Sequence, residues 1–474
     1  MERKFLNIKS GIYITFIITA ILSLWSGCTD SITGDRHANL PPDSFIFVRS
    51  VGGDTLNPQR SVQDIYWDGR DPDGFVKGFY YTWKDDPAPE DWIYTTAQHE
   101  LFALEITGAD TQYTFYLKAV DNQGLEDPTP AVQMFPIINS PPEIEWSVNS
   151  RIPDTTYTVA AFSWQASDPD GDLTISHFEY ALDTTDSWHK ISGLRRTVTI
   201  DADSGLSGGD HVFYIRAVDI AGATSETIRM PQNTTWYVKE PKGRYLLIDD
   251  FEVESASSGR PDAYYKGMLS RLLPELGETG GFDYWNIETQ FPSLRSQFTE
   301  TIKLFNRVLW YTDLVRETDN HFITAQVAIP EYRSQGGKII YTVQFNTGFG
   351  VQGSPLEFSP VDSLGQYYNF LAPGAAYYPD QTFTDVFGLT LPDLKVSTYI
   401  FGLIALKPKA NAIPMYRYDD PNRDSDPIFV LIGQNDNLQG QPYDFVFAGT
   451  PLHMLNGNNN LDDLFRVILR DVFK

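Results

Sequence analysis

The feature that most constrains this chain is an internal repeat. Trp67-Asp68-Gly69-Arg70-Asp71-Pro72-Asp73-Gly74 returns as Trp164-Gln165-Ala166-Ser167-Asp168-Pro169-Asp170-Gly171. Phe115-Tyr116-Leu117-Lys118-Ala119-Val120-Asp121 returns as Phe213-Tyr214-Ile215-Arg216-Ala217-Val218-Asp219, and Trp92 between them returns as Trp188. The offsets are 97, 98 and 96 residues, so one unit of nearly constant length occurs twice in tandem. Within each copy apolar and polar residues alternate over short stretches, which marks strands with one face buried. A unit of about 100 residues with such strands and a core tryptophan packs as two facing sheets.

These residues resemble fibronectin type III and related immunoglobulin-like modules. The points of likeness are the early-strand Trp67 and Trp164, the Asp-Pro-Asp-Gly turns, and the late strand ending Ala-Val-Asp before a glycine turn at Gly124 and Gly222. The resemblance implies two all-β sandwiches, at 41–138 and 141–240. Pro141-Pro142 and Pro241 mark their limits, because proline does not continue a central strand. Such modules serve as spacers, adhesion surfaces and docking units, so the likeness speaks for fold more than for function.

The beginning of the chain is of another kind. Arg3 and Lys4 precede an apolar run from Ile12 to Leu24, and Trp25-Ser26-Gly27-Cys28 follows. A basic start, a short apolar stretch and small residues describe a secretory signal, and the run falls short of the ~20 residues of a membrane-spanning helix. Cys28 in this place resembles the lipobox of bacterial lipoproteins, with Trp25 standing where that motif usually has a small aliphatic residue. The resemblance implies cleavage after Gly27 and a lipid on Cys28. Thr29 follows in place of an inner-membrane aspartate, which points to the outer membrane, facing the periplasm or the cell surface. Residues 28–40 read as a flexible tether. The alternative is an ordinary signal peptide, 1–27, with an incidental cysteine.

Cys28 is the only cysteine, so disulfides, thiolate metal sites and cysteine nucleophiles are excluded from the body of the protein. The formal charge is −26. Without residues 1–27 the chain loses Arg3, Lys4, Lys9 and Glu2, a net +2, and stands near −28. No concentrated basic surface is available for phosphates, so nucleic acid is excluded as a partner. Such acidity suits solubility and the binding of cations.

From 243 to 474 the rhythm changes. Unbroken apolar runs at Tyr245–Asp249, Val308–Tyr311, Lys338–Val343, Ile428–Ile432 and Tyr443–Phe447 read as buried strands, with a further strand at Phe282–Ile287. Tyr264–Leu276, Phe322–Tyr332 and Leu461–Phe473 carry helical spacing. The alternation predicts an α/β three-layer domain with a mainly parallel sheet. The run Leu246–Asp250, the Trp310-Tyr311 strand with its helix leading to Gly336-Gly337-Lys338, and Phe447-Ala448-Gly449-Thr450-Pro451-Leu452-His453 resemble class I glutamine-amidotransferase-like domains of flavodoxin-like architecture. In active members a cysteine follows the Gly-Gly-Lys strand. Here Gln344-Phe345-Asn346-Thr347-Gly348 stands in that place, so the resemblance implies a domain without its nucleophile. A long insertion, about 345–427, is rich in glycine, proline and aromatics.

Three sets of candidate site residues follow. Asp71 and Asp73, with Asp168, Asp170 and Asp172, place carboxylates at alternate positions around glycine turns, which suits Ca²⁺. The alternative is aspartates bonding their own backbone in proline-set turns. At the carboxyl ends of parallel strands, where ligands usually sit, Asp249, Asp250, Asp313 and His453 are candidates for acid–base chemistry, with Tyr311 and Asn346 beside them as ligand contacts. On the insertion, Tyr367, Tyr368, Tyr377 and Tyr378 could stack on a sugar or a peptide, or else be buried by their own loop. No cofactor beyond possible Ca²⁺ is expected.

Together these readings give a lipid-anchored envelope protein in which two sandwiches hold a non-catalytic domain away from the membrane. Its expected role is binding or scaffolding, with a glycan, a peptide or another envelope protein as partner. The alternatives are an envelope hydrolase using the carboxylates with His453, and a purely structural stalk.

Overall fold

The alternating strands of each repeat become two facing sheets. The computed structural model describes residues 38–48, 62–104, 110–148, 150–252, 260–345, 348–349, 356–421, 426–434 and 443–473. In the first repeat, Asp43–Val48, Val62–Arg70 and His99–Ala103 form one sheet. Ile93–Thr95, Val76–Thr82, Asp110–Asp121 and Ala131–Ile138 form the other, in that order. The second repeat has the same arrangement. Glu143–Trp146, Val159–Ser167 and Thr197–Asp201 face His189–Ser192, Ile175–Leu182, Phe213–Asp219 and Ile228–Met230. This three-plus-four strand arrangement makes both repeats fibronectin type III-like sandwiches.

The repeated residues do the same work in both copies. Trp67 and Trp164 are buried between the sheets. Trp67 packs against Phe79, Tyr81 and Phe115, and Trp164 meets Phe178 edge-on at 5.2 Å. Trp92 lies under the Lys118 ammonium at 4.2 Å, and Trp188 under the Arg216 guanidinium at 4.3 Å. The recurring tryptophan–cation pair is therefore a cation–π contact across the sheet.

The first repeat belongs to one compact unit, Met1–Asn139, and the second repeat to another, Ser140–Lys474, which it shares with all that follows. After the second repeat, that unit continues with β1 (Tyr245–Asp250), β2 (Phe282–Asn286), β3 (Arg307–Val315), β4 (Lys338–Phe345), β5 (Val361–Leu371), β6 (Ala376–Pro379), β7 (Leu394–Lys395), β8 (Ile400–Pro408), β9 (Ala412–Tyr418), β10 (Ile428–Gln434) and β11 (Tyr443–Ala448). They form a single sheet in the order β2-β1-β3-β4-β11-β10-β9-β6-β7, with β8 on β10 and β5 on β8. The helices that matter here are α1 (Pro261–Glu275), α2 (Ile287–Gln290), α3 (Arg295–Lys303) and α4 (Asn320–Ser334), with α5 (Gln381–Phe387) and α6 (Leu461–Val467) further on.

This sheet corrects the expected α/β three-layer domain. Only four of its pairings are parallel, β1 with β2 and β3, β3 with β4, and β4 with β11. Six are antiparallel. The described residues are mostly β, at 44% strand and 19% helix. The physical reason lies in residues 361–418. Their glycines and prolines punctuate hairpin strands, β5 to β9, rather than one long insertion loop. These strands extend the sheet edgewise, and helices accompany mainly the parallel strands. No finding supports the amidotransferase-like resemblance of this region.

Along β1 the side chains alternate. Tyr245 and Leu247 pack with Tyr265, Met268, Leu269 and Leu272 of α1 and with Leu461, Leu464 and Phe465 of α6. Leu246 and Ile248 pack with Phe298 and Ile302 of α3 and with Phe322, Ala325 and Ile329 of α4. Among the described residues no helix is long and apolar enough to cross a membrane.

Candidate functional site

β1 ends in two aspartates, and the two-residue period of a strand sends them to opposite faces. Asp249 follows the Tyr245–Leu247 face and accepts a hydrogen bond from the Tyr284 hydroxyl of β2. Asp250 follows the Leu246–Ile248 face. Its Oδ2 accepts from the Trp310 indole Nε1 at 3.0 Å, and its Oδ1 lies 2.5 Å from His321 Nδ1. His321 stands in the first turn of α4, with its ring stacked on Phe291 at 4.1 Å and 29°. Glu288 enters from α2, and its Oε1 lies 3.6 Å from His321 Nδ1. Ligand atoms of Asp250, Glu288 and His321 all lie within 4.8 Å of one another, the one such trio found among the described residues.

The trio forms the wall of a cleft of about 290 Å³ at the carboxyl ends of β1 and β3. The strand order reverses between these two strands, which is where open parallel sheets leave a crevice. Asp250, Glu252, Glu288, Asp313 and Asp319 line it, against Arg316 and His321. Burial and the neighbouring Asp250 push the Glu288 carboxyl up to about 7. Burial raises Asp313 to about 6, although the Glu252 N–H donates to it at 3.1 Å. Burial also raises Asp250, against the pull of His321. For His321 burial opposes the charged ring, but the bond to Asp250 and the surrounding carboxylates outweigh it, and its value is raised. The cleft is therefore a negatively charged concavity holding more carboxylates than cations can neutralise from within.

No family model matches the chain, and no curated protein matches it. Solved structures resemble parts of it. Two fibronectin type III domains of chicken tenascin are 17% identical over 40% of this chain and 96% of theirs, with a TM-score of 0.22. The fibronectin(III)-like modules of Clostridium thermocellum CbhA are 15% identical over 41% of this chain and 95% of theirs, at 0.18. The PKD1 domain of Vibrio anguillarum Epp is 12% identical over 21% of this chain and 98% of its own, at 0.16. The assignment of the two sandwiches rests on their own strand pairing rather than on these likenesses.

Of the acid–base candidates, Asp250 and Asp313 share the cleft. Asp249 does not, and neither does His453. His453 is buried in the turn Leu452–Leu455 on the α1 side of the sheet, with its ring 5.7 Å from Tyr265 and 6.1 Å from Phe251. Tyr311 is on that side too, stacked on Tyr265 at 4.6 Å. Asn346 lies outside the described residues, as does Cys28. Among the other tyrosines, Tyr377 is buried, Tyr378 donates to Asp426, and Tyr368 donates to Asp420 at 3.1 Å. Tyr367 alone of the four is exposed, and Phe370, Tyr399 and Phe401 are exposed as well. In the sandwich loops, Asp71 accepts from the Asp73 N–H at 3.2 Å, Asp168 from the Asp170 N–H at 2.9 Å, and Asp172 from the Asp168 N–H at 3.3 Å. Asp71, Asp168 and Asp172 thus bond within their own turns, whereas Asp73 accepts from the Leu40 N–H at 3.2 Å and Asp170 from the Ser140 N–H at 2.7 Å.

Glu288 and His321 are the residues that sequence reading passes over. Phe282–Ile287 reads as a strand whose end hides Glu288, and His321 sits one residue before the apolar pattern of α4. The signal available for both is position alone: each follows a strand that neighbours β1 or its partner at the carboxyl edge.

Proposed function

We propose that this chain is a binding protein of the bacterial cell envelope, anchored through Cys28, whose acidic cleft takes a positively charged ligand. The observation that carries this reading is the lining of the cleft: five carboxylates against one guanidinium and one imidazole in about 290 Å³. A low-dielectric concavity of one sign concentrates ligands of the other sign and repels anionic glycans and nucleotides. The two sandwiches fit a general scaffolding part, since modules of this fold commonly act as spacers and docking units. The partner chemistry is then a basic group of a peptide, an envelope protein or an amino sugar, or a metal cation.

The test is calorimetry on the full chain with a lysine-rich peptide, a polyamine, divalent cations, an anionic oligosaccharide and a nucleotide. Binding confined to the cations, and weakened at least tenfold by Asp313→Asn or Glu288→Gln, supports the reading. Anion binding, or cation binding indifferent to both substitutions, sinks it. The anchor has its own test: Cys28→Ser should move the protein from the membrane to the soluble fraction.

A second reading rests on Glu288. A carboxyl pushed to about 7 beside an imidazole is poised to exchange protons at neutral pH. The chemistry would then run through Glu288 and His321, and not through His453, which lies across the sheet from the acids of the cleft. Hydrolysis of an amino-sugar or basic-peptide substrate abolished by Glu288→Gln would establish it.

A further inference from the structure

We infer that this wall of the cleft is a divalent transition-metal site, with Asp250, Glu288 and His321 as its three protein ligands and a fourth position open to the cavity. This rests on the cation-binding reading and names one ligand class within it. Three separate elements deliver the side chains: the end of β1, the short α2 and the first turn of α4. They converge although the chain separates them by 38 and 33 residues.

The spacing suits a small ion. Ligands about 2.0–2.2 Å from a tetrahedral metal stand about 3.3 Å from one another. His321 Nδ1 is 3.6 Å from Glu288 Oε1 and 2.5 Å from Asp250 Oδ1. Entry of the ion therefore needs an opening of under about 1 Å on the Asp250 side and almost none on the Glu288 side.

The surroundings are those of a held site. The Trp310 indole fixes the second oxygen of Asp250, so only Oδ1 is presented to the trio. Phe291 stacks on His321 and restricts its ring. Outer contacts of this kind orient metal ligands. Asp313 and Glu252 line the same cleft and could hold waters on the bound ion. One imidazole with two carboxylates selects zinc, manganese, cobalt or ferrous iron over the soft ions that demand thiolate, and the imidazole disfavours calcium and magnesium.

The experiment uses the full chain stripped with a chelator and titrated with Zn²⁺, Mn²⁺ and Co²⁺ by calorimetry, with the visible spectrum of bound Co²⁺ as a second readout. We expect one equivalent per chain and a cobalt spectrum of low coordination number. Affinity should fall at least tenfold in Glu288→Gln and in His321→Ala. It should not change in His99→Ala, a surface histidine of the first sandwich. Glu288 is the least buried of the three, so its variant should fold even where the His321 variant does not. No uptake, or uptake that both cleft variants leave unchanged, overturns the metal. If organic cations bind and metals do not, the metal falls and the cleft reading stands. If neither binds, both fall.

Discussion

Trp310 shows how one buried side chain serves both packing and the site. It is fully buried against Phe298 and Tyr341, and it spends its only donor on Asp250 Oδ2. Trp310→Phe would leave that oxygen buried without a partner, at about 1–3 kcal/mol of stability. Metal affinity should fall roughly 10–100-fold, as when other outer contacts are removed. Denaturant unfolding checks the first and calorimetry the second. Glu288 gives a pH dependence. Its ordinary value is 4.5 and its folded value about 7, so the folded state holds its proton through a window where the unfolded chain has released it. Stability must fall as pH rises from about 4.5 to 7. His321 acts in the same direction, because its ion pair with Asp250 is complete below 6.5 and is lost as pH rises through its raised folded value. In metal-free protein, Glu288→Gln should therefore raise the melting temperature more at pH 8 than at pH 5. An increment equal at both pH values would count against the burial of this carboxyl. At this scale the sequence shows Asp250 and Asp313 at strand ends, but the period of a strand decides between Asp249 and Asp250, and only the fold brings His321 to them.

The central strands of the sheet are legible because a strand buried on both faces reads as an unbroken apolar run, and β1, β3, β4, β10 and β11 all do. β5 to β9 are not, because hairpin strands at a sheet edge mix exposed and buried residues and take glycine and proline at their turns. Gly402 illustrates this: it lies inside β8 with φ of 71°, a conformation that reads in sequence as a loop. What fastens α4 to β11 is a polar pair that apolar periodicity does not reveal. Arg333 donates to Asp444 Oδ1 through Nε at 3.1 Å and Nη2 at 2.7 Å, and both side chains are buried. Removing one partner strands a buried charge, so Asp444→Ala should cost about 3–5 kcal/mol. The double variant Arg333→Met, Asp444→Leu should recover much of that loss. Urea unfolding of the single and double variants distinguishes the cases, and additive losses would show that the pair is not coupled.

At the scale of the whole molecule, what Pro241 separates in sequence Tyr157 joins in space. Tyr157 belongs to the second sandwich, between the strands Thr155–Thr156 and Val159–Ser167, yet it is buried in the core formed by β1, β3 and α3. Its ring meets Phe305 edge-on at 5.1 Å and Trp285 at 6.1 Å. The Lys239 ammonium lies over it at 4.1 Å, and Gln297 of α3 accepts from the Ala161 N–H at 3.3 Å. The sandwich and the mixed sheet thus share apolar burial, and sharing of that kind couples their unfolding. Residues 140–474 should unfold in one transition. Tyr157→Ala, which opens a cavity at the junction, should lower stability by about 3–5 kcal/mol, as for other large aromatics. The loss should appear in both parts at once. Hydrogen exchange reads this directly: in the variant, amides of Val159–Ser167 and of β3 should lose protection by the same factor. If the sandwich strands loosen while β3 keeps its protection, the two parts fold independently, and a segment cut at 243 should then be as stable as the whole. If they loosen together, a segment cut there exposes Trp285 and Phe305 and should bind a hydrophobic dye, which means that the cleft is built on a body that needs its neighbouring sandwich to stand.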